Sequence, residues 1–265
     1  MIKKIGIFCN DNSHSEKIFR ELIIKLKKIG YIIDNNDFDL ALAIGGDGAF
    51  LRMVRNCDFN SKVYYLGINT GTLGFSNEIY PSEIDNFLLM LQEDNYQVEE
   101  VSVGETSVFG KYNNFKLNFL NEILIRNANL KTVHLYVKVN SELLENFVGD
   151  GLLLSTSFGS TAYNLSFGGG IIYNDLHILQ LTPIAPINNK SYRTLRNSVI
   201  IKEERKISIS PKLNSSNLLL TLDGENYVYH DIEWLETTVK KEKIKCLRMY
   251  NYDYTRRIHE KFLKD

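Results

Sequence analysis

The chain has 265 residues with 44% hydrophobic and 24% charged side chains and only four prolines, which excludes a disordered or fibrous chain and suffices for two domains of roughly 100–150 residues. Thirty-one basic against 32 acidic residues leave a formal charge of −1, so no global field draws it to nucleic acid or anionic membranes. The cysteines (Cys9, Cys57, Cys246) and histidines (His14, His134, His177, His230, His259) are scattered without metal-ligand or Cys-x-x-Cys spacing, excluding a disulfide scaffold or structural zinc site and fitting a reducing cytoplasm. No apolar run approaches the roughly 20 residues of a membrane span, and the apolar run before Asn10 is too short for a signal peptide. A soluble, cytoplasmic protein is expected.

The first hundred residues alternate short apolar runs with helical periodicity, the signature of parallel strands covered by helices. Ile5–Cys9 reads as a buried strand, and Ser13 or Ser15 as the cap of a helix with Ile18, Phe19, Leu22, Ile23, Leu26 and Ile29 on one face and Gly30 at its stop. A second strand, Leu40–Ile44, runs into Gly45-Gly46-Asp47-Gly48 and a helix from Ala49. A third, Val63–Ile68, runs into Asn69-Thr70-Gly71-Thr72-Leu73-Gly74-Phe75, and Pro81-Ser82-Glu83 opens a helix ending near Asn95. From Tyr96 the period changes to β-rich runs: Leu117–Arg126, Val133–Val139, Leu152–Ser155, Ile178–Thr182, Val199–Lys202, Ile207–Ser210 and Leu218–Leu222. One short helix is expected after Gly159, and a last one, Tyr254–Leu263, packs back on the first domain. The predicted fold is an α/β Rossmann-like domain over 1–100, joined by 250–265, and a mostly-β domain over 101–249.

Gly45–Gly48 sits between a strand and a helix, where open α/β sheets bind ligands. The glycines permit close backbone approach, and the helix that follows offers N–H groups to phosphate oxygens. A carboxylate inside a phosphate cradle repels the ligand, so Asp47 there meets a metal ion, or a hydroxyl whose proton must leave, or else belongs to a simple tight turn. Asn69–Phe75 provides a second glycine-rich exit, with the hydroxyls of Thr70 and Thr72. Asn121-Glu122 places two polar groups in an apolar run; they need partners, either a ligand's hydroxyls and base edge or the protein backbone. Gly149-Asp150-Gly151 precedes an apolar strand that delivers the small, hydroxylated run Ser155–Tyr163, and Thr182-Pro183-Ile184-Ala185-Pro186 makes a rigid bend. Asp223-Gly224 reads as a hairpin turn.

Taken in order, Gly-Gly-Asp-Gly at 45–48, Asn-Thr-Gly-Thr-Leu-Gly-Phe at 69–75, Asn-Glu at 121–122, Gly-Asp-Gly-Leu at 149–152, Gly-Ser-Thr-Ala-Tyr at 159–163 and Thr-Pro-Ile-Ala-Pro at 182–186 resemble the bacterial NAD kinases over nearly the whole chain. The resemblance implies ATP-dependent phosphorylation of the 2′-hydroxyl of NAD's adenosine ribose, a divalent cation such as Mg²⁺, and a homodimer or homotetramer whose neighbouring subunit completes the site. It implies Asp47 as base or hydroxyl-orienting carboxylate, and a phosphate and ATP loop of Gly45, Gly46, Gly48, Thr70 and Gly71. NAD contacts would come from Gly74, Phe75, Asn121, Glu122, Thr161 and Ala162 around the adenosine, and from Asp150, Tyr163, Ser166, Ala185 and Tyr192 toward the nicotinamide riboside. The chain departs from the family pattern at Ala49, where Thr is usual, at Ser157-Phe158, where Pro-Thr is usual, and at Val148, where a basic residue is frequent. Diacylglycerol and sphingoid-base kinases share the Gly-Gly-Asp-Gly loop, and Gly159–Tyr163 with Thr182–Pro186 sets this chain apart from them.

Overall fold

The computed structural model describes residues 2–71, 74–212 and 217–264; Thr72 and Leu73 of the second glycine-rich exit lie outside them. The chain divides into two units, Met1–Val101 with Lys243–Asp265, and Ser102–Glu242. The segment that rejoins the first unit starts at Lys243, ahead of the expected 250.

The first unit begins with β1 (Lys4–Cys9), α1 (Ser13–Lys28), β2 (Ile32–Ile33), β3 (Leu40–Gly45), α2 (Asp47–Asn56), β4 (Tyr64–Asn69), α3 (Ile84–Gln92) and β5 (Tyr96–Val101). Every residue of β3 is buried, as befits a central parallel strand covered on both faces. The cap of α1 is Asn12, whose side chain accepts from the Ser15 amide at 2.9 Å, and not Ser13 or Ser15. An Asx side chain one residue outside the apolar pattern does this better than a serine already inside the first turn. Gly30 takes a φ of +94° at the stop of α1, as expected.

The second unit comprises β6 (Gly104–Gly110), β7 (Asn114–Phe119), β8 (Glu122–Asn127), β9 (Val133–Val139), β10 (Glu142–Gly149), β11 (Gly151–Thr156), α4 (Tyr163–Ser166), β12 (Ile178–Ile184), β13 (Val199–Lys202), β14 (Ile207–Pro211), β15 (Leu218–Leu222), β16 (Glu225–Tyr229) and β17 (Ile232–Val239). Two six-stranded sheets, β10-β9-β14-β17-β6-β7 and β13-β12-β11-β8-β15-β16, share one apolar core that includes Phe119, Ile123, Phe147, Leu154, Ile209 and Leu235. The run Leu117–Arg126, read as one strand, is broken at Leu120-Asn121: β7 and β8 belong to different sheets.

The chain then returns as β18 (Ile244–Met249) and α5 (Tyr254–Phe262). β18 inserts into the first sheet, whose order is β2-β1-β3-β4-β18-β5, parallel to β4 and antiparallel to β5. The expected mostly-β second half and closing helix are both present. Among the described residues no helix is long and apolar enough to cross a membrane.

Candidate active site

In the first unit, β3 and β4 run parallel side by side, with Gly45 opposite Asn69, so the two glycine-rich exits lie together. Gly46 caps α2 in an extended conformation and offers no side chain to its first amides; such amides have no intrahelical acceptor and suit an anion. A Cβ on Gly46 would meet nothing within 4 Å, so the loop is open there, whereas a Cβ on Gly45 would lie 2.5 Å from Ala49 Cβ. Ala49 is therefore buried packing beneath the loop. Gly48 is exposed. The Thr70 amide donates to the Gly45 carbonyl at 3.1 Å, the Thr70 hydroxyl bonds that of Ser15 at 2.8 Å, and the Gly71 amide donates to Asn69 Oδ1 at 3.0 Å.

Asp47, the first residue of α2, is half-buried. Its Oδ2 accepts from the Phe75 amide at 3.0 Å, and its Oδ1 from the amides of Ser76 at 3.0 Å and Asn77 at 3.3 Å. Gly74 makes this approach possible, since a Cβ there would stand 2.2 Å from Oδ1. A carboxylate has about four acceptor positions; three amides leave roughly one for a hydroxyl. The Phe75 ring lies against Tyr254 and Phe262 of α5, at centroid separations of 6.1 and 5.5 Å.

Sequence reasoning missed the charged cluster behind this loop. Arg248 of β18 is buried and pairs with Glu99 at 2.6 Å and with Glu78 at 3.3 Å. Burial works against its charge, but Glu99 and Glu78 outweigh that and keep the guanidinium protonated. The signal was present: an arginine inside the apolar run Ile244–Met249 must have buried partners.

In the second unit the Asn121-Glu122 pair sits where β7 gives way to β8. The amides of Leu120, Asn121 and Glu122 all donate to the Asp223 carboxylate, at 2.8, 2.7 and 3.2 Å. Asp223-Gly224 is the hairpin turn expected, with φ of +48° and +86°, and the same aspartate breaks the apolar run. Glu122 is buried, and its Oε2 has no hydrogen-bond partner. Burial, reinforced by the Asp223 charge and only partly offset by a hydrogen bond from the Tyr163 amide, pushes its carboxyl up to about 8. Glu122 thus carries its proton at neutral pH and can donate as well as accept. Gly159 packs on Asn121: a Cβ there would be 2.1 Å from the Asn121 carbonyl oxygen. Thr161 and Ala162 follow half-buried, and Tyr163 and Ser166 are exposed on α4, with the Tyr163 ring edge-on to Phe167 at 4.7 Å. Phe158 is buried rather than offered to a ligand.

The remaining predicted residues gather elsewhere. Asp150 is exposed ahead of β11, its amide donating to the Ile184 carbonyl at 3.0 Å, next to Ala185, which adopts a φ of +44°. Tyr192 meets His134 edge-on at 5.5 Å and lines a cavity of about 370 Å³. Asp150 and Ala185 flank one end of β11, while Thr161 to Ser166 follow its other end, about 20 Å away at the usual rise per strand residue. Val148 is buried on β10. Among the described residues no group of three or more His, Cys, Asp or Glu side chains is arranged to hold a metal ion.

Sequence models of two domain families match the chain: "ATP-NAD kinase N-terminal domain" over residues 26–96 and "ATP-NAD kinase C-terminal domain" over residues 120–247. An NAD kinase of Finegoldia magna is 36% identical, covering 98% of this chain and 98% of its own, and one of Leuconostoc mesenteroides is 32% identical, covering 99% of each. Among solved structures, a yeast NADH kinase complexed with NADH superposes with a TM-score of 0.88 at 20% identity, covering all of this chain and 89% of its own. An NAD kinase from Archaeoglobus fulgidus in complex with ATP does so with a TM-score of 0.75 at 20% identity, covering 98% and 97%. At these identities the structural likeness concerns the fold.

Proposed function

The chain belongs to the NAD kinase family and is a kinase, and from that premise we propose that it transfers the γ-phosphoryl group of ATP to the 2′-hydroxyl of the adenosine ribose of NAD, forming NADP. The observation that carries this reading is the Asp47 carboxylate, fixed by three amides beside an open helix N-terminus with about one acceptor position left. Phosphoryl transfer asks of a protein chiefly positioning and charge neutralisation. Asp47 orients the ribose hydroxyl; its oxygen bonds to the γ-phosphorus as the bond to the ADP oxygen breaks, and the proton passes to the carboxylate. The first amides of α2, in the bend of Gly45, Gly46 and Gly48, receive phosphate oxygens, while Thr70 and Gly71, whose amides are engaged by Gly45 and Asn69, wall the loop beside them. ATP enters as its magnesium complex, so the cation belongs to the donor, and no protein ligand is assigned to it.

In this reading Gly74, Phe75, Asn121, the protonated Glu122, Thr161 and Ala162 take the adenosine half of NAD, with Tyr163 and Ser166 beyond it. The ligands of the two solved relatives, NADH for one and ATP for the other, agree with a dinucleotide acceptor and a triphosphate donor. Asp150 and Ala185 lie at one end of β11, a strand about 20 Å long at the usual rise, and the segment leading to Tyr163 leaves its other end. That distance favours Asp150 and Ala185 serving the nicotinamide riboside held by a second copy of the chain, in a homodimer or homotetramer. The test is incubation with NAD and magnesium ATP, read by an NADP-specific dehydrogenase, beside the same incubation with diacylglycerol. NADP formation with no phosphorylated lipid is expected; lipid phosphorylation without NADP would overturn the proposal.

A further inference from the structure

The segment that follows Gly74 is held from two sides. Its amides from Phe75 to Asn77 point at Asp47. Its carbonyls face two guanidinium groups brought by the returning chain: Arg248 Nη1 donates to the Ser76 oxygen at 3.2 Å, and Arg257 Nη2 to the Asn77 oxygen at 2.9 Å. A trans peptide points its C=O and N–H in opposite directions. The Ser76–Asn77 peptide therefore has a guanidinium on one edge and the Asp47 carboxylate on the other, an alignment in which each bond polarises the next. Asn77 also ties the segment back to the glycine bend, its Nδ2 donating to the Gly45 carbonyl at 2.8 Å.

Arg257 is the only buried residue of α5. A closing helix ordinarily docks by an apolar stripe; this one sends a cation inward, past the Tyr80 ring at 5.9 Å, to a backbone oxygen. Among the described residues its ion pair is with Glu260, 3.9 Å away on the same helix, a pair that does little to explain the burial; its charge also faces the buried Glu78 carboxyl.

From this geometry we infer that Arg257 is a positioning residue for phosphoryl transfer: through the Asn77 carbonyl it fixes the segment whose amides set the Asp47 carboxylate. The inference rests on the assignment of Asp47 made above. Arg248 acts on the neighbouring peptide, but its removal would strand Glu78 and Glu99 in the interior, so Arg257 is the residue to test.

Arg257→Gln and Arg257→Lys are assayed with NAD and magnesium ATP, each alone and combined with Asp47→Asn. Displacing a reacting group by about 1 Å costs on the order of a hundredfold. Arg257→Gln is expected to lower kcat about 10- to 100-fold, with KM for both substrates within about threefold of the parent, and Arg257→Lys to recover most of the loss. In the Asp47→Asn background Arg257→Gln should cost less than about twofold more, because coupled residues are not additive. An unchanged kcat, a loss confined to KM, or an equal loss in both backgrounds would overturn the inference. Near-normal turnover of Asp47→Asn alone would instead remove the assignment of Asp47, which separates the two failures. Should Arg257→Gln not fold, Arg257→Met, which keeps the apolar stem and loses the donor, decides: amide hydrogen exchange over residues 75–77 is expected to quicken together with a fall in kcat, and unchanged exchange would refute the role.

Discussion

Replacing Glu122 by glutamine keeps its shape while removing the charge. In the folded protein this carboxyl is raised from 4.5 to about 8 by burial first and the Asp223 charge second. Between those two values the folded chain holds a proton that the unfolded chain has released, so stability falls as pH rises through the interval and levels off above the folded value. At about 1.4 kcal/mol per pK unit, the rise from 4.5 to about 8 amounts to about 5 kcal/mol. The Asp223 charge and the Tyr163 amide face the group in both variants, so the difference isolates the proton of Glu122. Near pH 5, where Glu122 is protonated and resembles glutamine, the two proteins should unfold at similar urea concentrations. Near pH 9 the variant should be more stable by about 2–5 kcal/mol. Trp234, the only tryptophan, lies on β17 of the same unit as Glu122 and stacks on Phe109 at 4.5 Å, so its fluorescence follows the unit concerned. A stability difference independent of pH, or one that shrinks as pH rises, would refute the reasoning.

Other perturbations follow from close contacts. Gly74→Ala places a methyl group 2.2 Å from Asp47 Oδ1; steady-state kinetics should show kcat down about 10- to 100-fold with smaller changes in KM. Asp223→Ala strands three amides and should lower stability in urea by about 2–4 kcal/mol, with weaker NAD binding by calorimetry. Gly159→Ala drives a methyl group against the Asn121 backbone, and titration should show NAD affinity reduced about tenfold or more, with a loss of about 1–3 kcal/mol in stability from overpacking.

Three strands of the first sheet, Ile5–Cys9, Leu40–Ile44 and Val63–Ile68, were legible as buried apolar runs, and Leu40–Ile44 with Gly45-Gly46-Asp47 needs only the periodicity and the breaker to be placed; β18 was not, because it returns from the far end of the chain to pair with β4 and β5. The lone correction at the end of Leu40–Ile44 is that the helix starts at Asp47 and not at Ala49. The break between β7 and β8 was not legible, because Leu117–Arg126 is locally consistent with one strand and the carboxylate that interrupts it comes from Asp223, about a hundred residues away. Asp223 itself was hidden by a sufficient local explanation, since a two-residue hairpin accounts for Asp-Gly without its side chain. In the candidate site, the residues of each strand exit could be named from composition and order. That the 75–77 amides occupy the Asp47 carboxylate, and that Arg248 and Arg257 hold the other edge of that segment, arises from chain return and carries no local periodicity.

The most direct measurement is the turnover of Asp47→Asn with NAD and magnesium ATP, paired with NAD binding to the same variant. A loss of about 10²- to 10⁴-fold in kcat, the range for an acid–base group, with NAD affinity within about threefold of the parent, is the predicted result. Turnover within a few fold of the parent would contradict the account.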